Sequence, residues 1–127
     1  RKCTVLMLGF ELKQLDKEIV ELNEKADQVQ ADYSKALMTT DMYRDLCKMH
    51  LAAQIQELRD GNPKASEAKL ENMARADKAY RTNFIEATKS YKKSLSLKIE
   101  LDRLSEKIDS WRTRISLRKA EVERFGA

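Results

Sequence analysis

Seven basic residues crowd the stretch "MARADKAYRTNFIEATKSYKKSLSLK" (residues 73–98): Arg75, Lys78, Arg81, Lys89, Lys92, Lys93 and Lys98, against only Asp77 and Glu86. On a helical wheel Arg75, Lys78, Lys89 and Lys93 project within about 60° of one another. Arg81 and Lys92 fill the sector beside them. A row of cations on a helix can follow a phosphate backbone. Tyr80 and Tyr91 lie near the row and could stack bases, though their heptad places put them in the core. The candidate nucleic-acid contacts are therefore Arg75, Lys78, Arg81, Lys89, Lys92 and Lys93. A second cluster, "WRTRISLRKAEVER" (residues 111–124), holds Arg112, Arg114, Arg118, Lys119 and Arg124. The plain alternative for both clusters is a solvated charged face.

Other chemistry has little to stand on. His50 is the only histidine, and no Cys or carboxylate stands at metal-ligand spacing around it. Cys3 and Cys47 match no metal pattern and read as free thiols. Gly9, Gly61 and Gly126 are isolated, so there is no glycine-rich phosphate loop. Nothing orients His50 toward a nucleophile. Asp and Glu are interleaved with Lys and Arg as surface ion pairs are. The chain is expected to be no enzyme and to need no cofactor or metal.

The elements that position the basic row follow from composition and periodicity. Of 127 residues, 42% are apolar and 36% charged, with one Pro and three Gly. That is the composition of long amphipathic helices. Residues 1–62 carry 9 Lys/Arg against 11 Asp/Glu, and residues 63–127 carry 16 against 10. A basic second half points to a polyanionic partner. No apolar run approaches the ~20 residues that span a bilayer. The basic face also lacks the adjacent apolar face of a membrane-surface helix. No membrane partner and a cytoplasmic location are expected.

Residues 1–9 read as a loose N-terminal segment. From about residue 10 to 38, Leu12, Leu15, Ile19, Leu22, Ala26, Val29, Tyr33 and Ala36 keep a 3-4 spacing, a heptad seam. The pattern breaks at "LMTTDMYRDL", where Thr39 or Thr40 could cap a second helix over about 41–60. One continuous helix whose seam moves is the alternative. Met42, Leu46, Met49 and Ala53 form one row there, and Leu51, Ile55 and Leu58 another, which suggests cover from a further subunit. "RDGNPKASEA" (residues 59–68) contains the turn, residues 61–66. Gly61 suits a left-handed position after a helix, Pro63 stops continuation, and Ser66 is an N-cap. From 67 to about 124 neither Gly nor Pro intervenes, so one long helix is expected.

"SLSLKIEL" (residues 94–101) alternates apolar and polar residues as a strand would, but no other segment offers it a partner. Read as helix, it is the crossing of two seams. One runs Leu70, Met73, Asp77, Tyr80, Phe84, Ala87, Tyr91 and on through Leu95 and Ile99. The other runs from Leu97 to Phe125, with Arg118 as its polar intrusion. Ser90, Ser94 and Ser96 lower helix propensity, so a kink near 94–99 is part of the reading. Two seams on different sides imply two partners, the chain's own first helix and a second copy. Leu97, Leu101, Leu104, Ile108, Trp111 and Ile115 are assigned to the interface between copies. The alternative is that this seam packs a folded-back arm of the same chain.

The segments "LRDG" (58–61), "SEAKLENMARADKAY" (66–80) and "SWRTRISLRKAEVERFG" (110–126) resemble those of small helical phage recombination mediators of the UvsY type, over residues 42–126. An aromatic pair that some members carry before the turn is missing from "QELRDG". The resemblance implies a ring-forming protein that binds single-stranded DNA. It implies as partners a recombinase, which such a protein helps to load, and a single-strand-binding protein.

Together these readings predict an all-α, elongated antiparallel helical hairpin or coiled-coil bundle. It forms a single domain over residues 10–127 and self-assembles through long helices. The expected function is an oligomeric, single-stranded nucleic-acid-binding protein. The rival is a structural coiled-coil scaffold that binds no nucleic acid.

Overall fold

The computed structural model describes residues 2–126 and contains three α-helices, with no strand among the described residues. They are α1 (Lys2–Gly61), α2 (Glu67–Arg75) and α3 (Lys78–Gly126). The fold is all-α, and α1 and α3 pack as the two arms of a helical hairpin. The chain divides into two compact units, Arg1–Asp32 with Leu97–Ala127 and, separately, Tyr33–Ser96.

α1 is one helix of 60 residues. This corrects two expectations: residues 2–9 belong to it rather than to a loose segment, and no second helix starts near residue 41. Thr40 explains the continuity. Instead of capping a new helix, its hydroxyl donates to the Ala36 carbonyl at 2.8 Å, one turn back. With only 1% of its surface exposed, Thr40 extends the heptad row of Tyr33 and Ala36 toward Tyr43 and Cys47. A polar residue bonded to its own helix can occupy a core place without leaving a polar group unsatisfied.

The turn differs in mechanism from its expected form. Gly61 ends α1 without a positive φ. Asn62 closes the helix instead. Its amide Nδ2 donates to the Leu58 carbonyl at 3.0 Å and its backbone N–H to Arg59 at 3.2 Å. The Ala65 N–H then bonds to the Asn62 carbonyl. Ser66 is the N-cap of α2, its hydroxyl accepting from the Lys69 N–H at 3.2 Å. Arg59 reaches across the turn to the Glu67 carboxylate.

The long second helix is not continuous. It breaks at Ala76 and Asp77, a place with neither Gly nor Pro. The Ala76 N–H is shared between the carbonyls of Asn72 and Met73, and the Asp77 N–H bonds Ala74 three residues back. Asp77 then caps α3: its carboxylate accepts from the Ala79 N–H at 3.0 Å. An aspartate in that place satisfies an orphan amide and opposes the helix dipole. Asp77 is thus a cap rather than a polar intrusion in a seam. Through residues 94–99 α3 is continuous helix.

Within Tyr33–Ser96 the buried residues are small. Ala36, Thr40 and Cys47 line α1, and Ala87 and Ser94 line α3. Ser94, 1% exposed, bonds its hydroxyl to the Tyr91 carbonyl at 2.6 Å. Short side chains on both helices leave little room for enlargement at either face. α2 adds the largest apolar anchor of this unit, Leu70 at 1% exposure, beside Ala74 at 0%. Full burial of one leucine contributes about 2 kcal/mol.

The other unit buries larger side chains, Leu8, Leu15 and Val29 on α1 with Leu104, Ile108 and Ile115 on α3. This corrects the interface assignment. Leu104, Ile108 and Ile115 are under 9% exposed in the single chain, and Leu97, Leu101 and Trp111 are half-buried on the same heptad row. The surface reserved for a second copy is covered by the chain's own α1. Ser94 and Leu97 stand three apart, so the packed row follows the serine rather than Leu95 or Ile99. Those two residues are 47% and 53% exposed.

An ion pair clasps α1 to α3 in this unit, and a second lies within α3. Arg118 places Nε 3.0 Å from Glu11 and a terminal nitrogen 2.9 Å from Glu121. These bonds, Glu121 foremost, raise its already high pKa further. The polar intrusion in the seam is therefore a paired arginine.

Candidate nucleic-acid interface

All six predicted contact residues are exposed. Arg75 is the last residue of α2, Lys78 the first of α3, and the rest follow along α3. The α3 lysines and Arg81 lie on the side of that helix away from buried Ala87 and Ser94, because their heptad places are roughly opposite. Two of the six have carboxylate neighbours: Arg75 is 3.8 Å from Glu71 and Lys89 is 3.5 Å from Glu86. Lys78, Arg81, Lys92 and Lys93 have no ion-pair partner among the described residues.

The six do not form a single site. Arg75 and Arg81 border a groove of about 470 Å³ floored by Tyr80, Phe84 and Ile85. Tyr80 and Phe84 stack there, ring centroids 6.3 Å apart and planes inclined by 24°. Phe84 also belongs to an adjoining groove of about 340 Å³, shared with Tyr91 on α3 and with Arg44 and Lys48 on α1. The Arg44 guanidinium lies 5.2 Å from the centre of the Tyr91 ring. Lys78, Lys89, Lys92 and Lys93 line neither groove and stand on the open outer face.

Two features escape a reading of sequence alone. Phe84 at 55% and Tyr91 at 42% exposure are surface aromatics, not core. Their heptad spacing is that of a seam, but the helix packs through Ala87 and Ser94 instead. Arg44 and Lys48 belong to the acidic half of the chain and join the site only through helix packing. No linear signal marks them.

The grooves combine aromatic faces with four cations, Arg44, Lys48, Arg75 and Arg81, and no carboxylate lines either one. Aromatic rings with flanking cations suit ligands that are flat and anionic, such as unpaired nucleotides. Cys47, which borders the second groove, is a buried free thiol. Burial pushes its pKa up, and its Sγ lies 3.8 Å from the Tyr80 carbonyl.

The second basic cluster is largely engaged within the chain. Arg118 is paired as described, and Arg112 lies 3.8 Å from Asp109. Arg114 stacks 4.9 Å from the Trp111 ring, and Arg124 lies 5.7 Å from that of Phe125.

His50 on α1 and Asp77 meet with Nε2 and Oδ2 2.6 Å apart. This bond, with the amides of Ala79 and Tyr80, holds the Asp77 carboxyl below its ordinary pKa against the opposing effect of partial burial. Among the described residues no cluster of His, Cys, Asp or Glu could hold a metal ion, and no helix is long and apolar enough to cross a membrane. No protein-family model, curated protein or solved structure matches the chain.

Proposed function

We propose that this protein binds single-stranded nucleic acid along Tyr33–Ser96. Bases stack on Tyr80, Phe84 and Tyr91, and the phosphates meet Arg44, Lys48, Arg75 and Arg81. Lys78, Lys89, Lys92 and Lys93 add attraction on the outer face. The observation that carries this reading is the stacked Tyr80–Phe84 pair bordered by two arginines in a groove without carboxylates. Exposed rings favour unpaired bases, because duplex bases present no free face. The resemblance to UvsY-type mediators supports an extension. The protein would act as a homo-oligomer that helps load a recombinase onto DNA covered by single-strand-binding protein.

The test is fluorescence anisotropy with a labelled single-stranded oligonucleotide at several salt concentrations. Binding that weakens steeply as salt rises is the expected result. No binding even at low salt rejects the reading. Light scattering on a size-exclusion column tests the oligomer, which a monomer over a wide concentration range would exclude.

A structural scaffold is the second reading. Met38, Met42, Leu46 and Met49 favour it, an apolar row on α1 that the chain leaves 73%, 50%, 39% and 69% exposed. Such a row suits another helix.

A further inference from the structure

Between Glu67 and Arg124 the sequence contains no residue that breaks a helix, yet α2 and α3 are separate. On one continuous helix Arg75 would point about 140° away from Tyr80 and about 180° away from Phe84. The bend at Ala76–Asp77 removes that separation and brings Arg75 to the groove that Tyr80 and Phe84 floor. Arg75 therefore joins Tyr80, Arg81, Phe84 and Ile85 of α3 at this groove only because the helix is broken.

The break is made of bonds to one side chain. The Asp77 carboxylate accepts from the Ala79 N–H at 3.0 Å and meets His50 Nε2 at 2.6 Å. A continuous helix would give the Ala79 amide the Arg75 carbonyl instead, so Asp77 replaces a backbone partner with its own oxygen. Ala76, at φ −76° and ψ −11°, is still in the right-handed helical region. The choice between bent and straight forms therefore turns on the cap residue Asp77. The contact to α1 biases that choice, because in the bent form one carboxylate both caps α3 and meets His50. Buried Leu70 and Ala74 hold α2 in the same position.

We propose that His50 is a positioning residue for the groove: through Asp77 it holds the α2–α3 bend that sets Arg75 beside the aromatic pair. Loss of this contact shifts the population toward a straight α2–α3 helix, in which Arg75 leaves the groove and Leu70 and Ala74 leave their present packing. This device rests on the single-strand-binding reading for its functional consequence, but not for its structural one.

The experiment compares His50→Ala, His50→Gln and Arg75→Ala in the full chain. Spin labels at exposed Gln56→Cys on α1 and Lys69→Cys on α2, with Cys3→Ser and Cys47→Ala, report the bend as a distance. Anisotropy reports oligonucleotide affinity. His50→Ala is expected to broaden and lengthen the distance distribution and to weaken binding roughly tenfold, the scale of one charged hydrogen bond. His50→Gln retains a donor and should restore both. Arg75→Ala should weaken binding with the distance unchanged. A His50→Ala distance distribution identical to that of wild type overturns the proposal. So does a His50→Gln variant as impaired as His50→Ala. If the wild-type protein binds no oligonucleotide, the functional reading fails, and the distance measurement still decides whether His50 holds the bend.

Discussion

The indole N–H of Trp111 donates to the Glu18 carboxylate at 2.7 Å, joining residues 93 positions apart. Gln14 donates to the same carboxylate at 3.2 Å. Lys107 and Arg114 stand 5.4 and 4.9 Å from the indole ring. The Trp111 bond is the foremost reason the Glu18 carboxyl sits below its ordinary value, followed by Gln14. With the Arg118–Glu11 pair, this donor sets the register of α1 against α3 in this unit.

That bond has a pH signature. A carboxyl whose folded pKa is lowered stabilises the fold fully above its unfolded pKa. The contribution is lost as pH falls through the folded value. Emission of Trp111, the only tryptophan, should therefore change with a midpoint below the usual glutamate range of about 4.3. Glu18→Gln should abolish that acid transition. Replacing Trp111 by Phe should raise the Glu18 pKa, read from its carboxyl carbon shift by NMR.

Asp77 follows the same sign, its folded pKa being lowered chiefly by His50. Its contribution is present above about 3.9, the unfolded aspartate value, and disappears as pH falls through the depressed folded value. Urea denaturation at a series of acidic pH values should show a shallower loss of stability in His50→Ala than in wild type. Parallel curves would mean that the pair contributes nothing.

Ile108→Ala and Leu104→Ala should each lower stability by about 2–4 kcal/mol, because each leaves a cavity in the packing of α1 on α3. Met49→Ser, on an exposed side, should change it by less than about 0.5 kcal/mol. Urea midpoints at two protein concentrations check both. A loss that vanishes on dilution would return Ile108 to an interface between copies.

Ser94→Leu should be costly, about 1–3 kcal/mol, because the site is 1% exposed and lies in a row of small residues. Leu95→Ser, one position on, should be nearly neutral. The pair tests directly which residue of "SLSLKIEL" faces the core.

Arg81→Ala, Lys92→Ala and Lys93→Ala remove cations that have no carboxylate partner among the described residues. Each should reduce the salt slope of oligonucleotide binding by about 1 if it meets a phosphate. Lys119→Ala, in the other unit, should leave the slope unchanged.

What the sequence by itself determined is local. Heptad spacing and the scarcity of Gly and Pro prescribed helices, and "GNPKAS" prescribed the reversal between them. Ser66 was legible as a cap because capping depends on its own neighbours. Tertiary structure decided which apolar row was buried. Leu95 and Ile99 are as apolar as Leu97 and Leu101, and only the partner helix selects between them. It chose the row with Ser94, where a hydroxyl bonded to the Tyr91 carbonyl fits a space that leucine overfills. Thr39 and Thr40 look alike as cap candidates in the sequence, because polarity is visible there and the place of Thr40 in the packing is not. The break at Asp77 has a local part, the cap on the Ala79 amide, but its carboxylate also works with a histidine 27 residues away. The basic row was legible as charge, but its aromatic neighbours and the α1 residues Arg44 and Lys48 were not. Their meeting depends on which faces of the helices the core leaves outside.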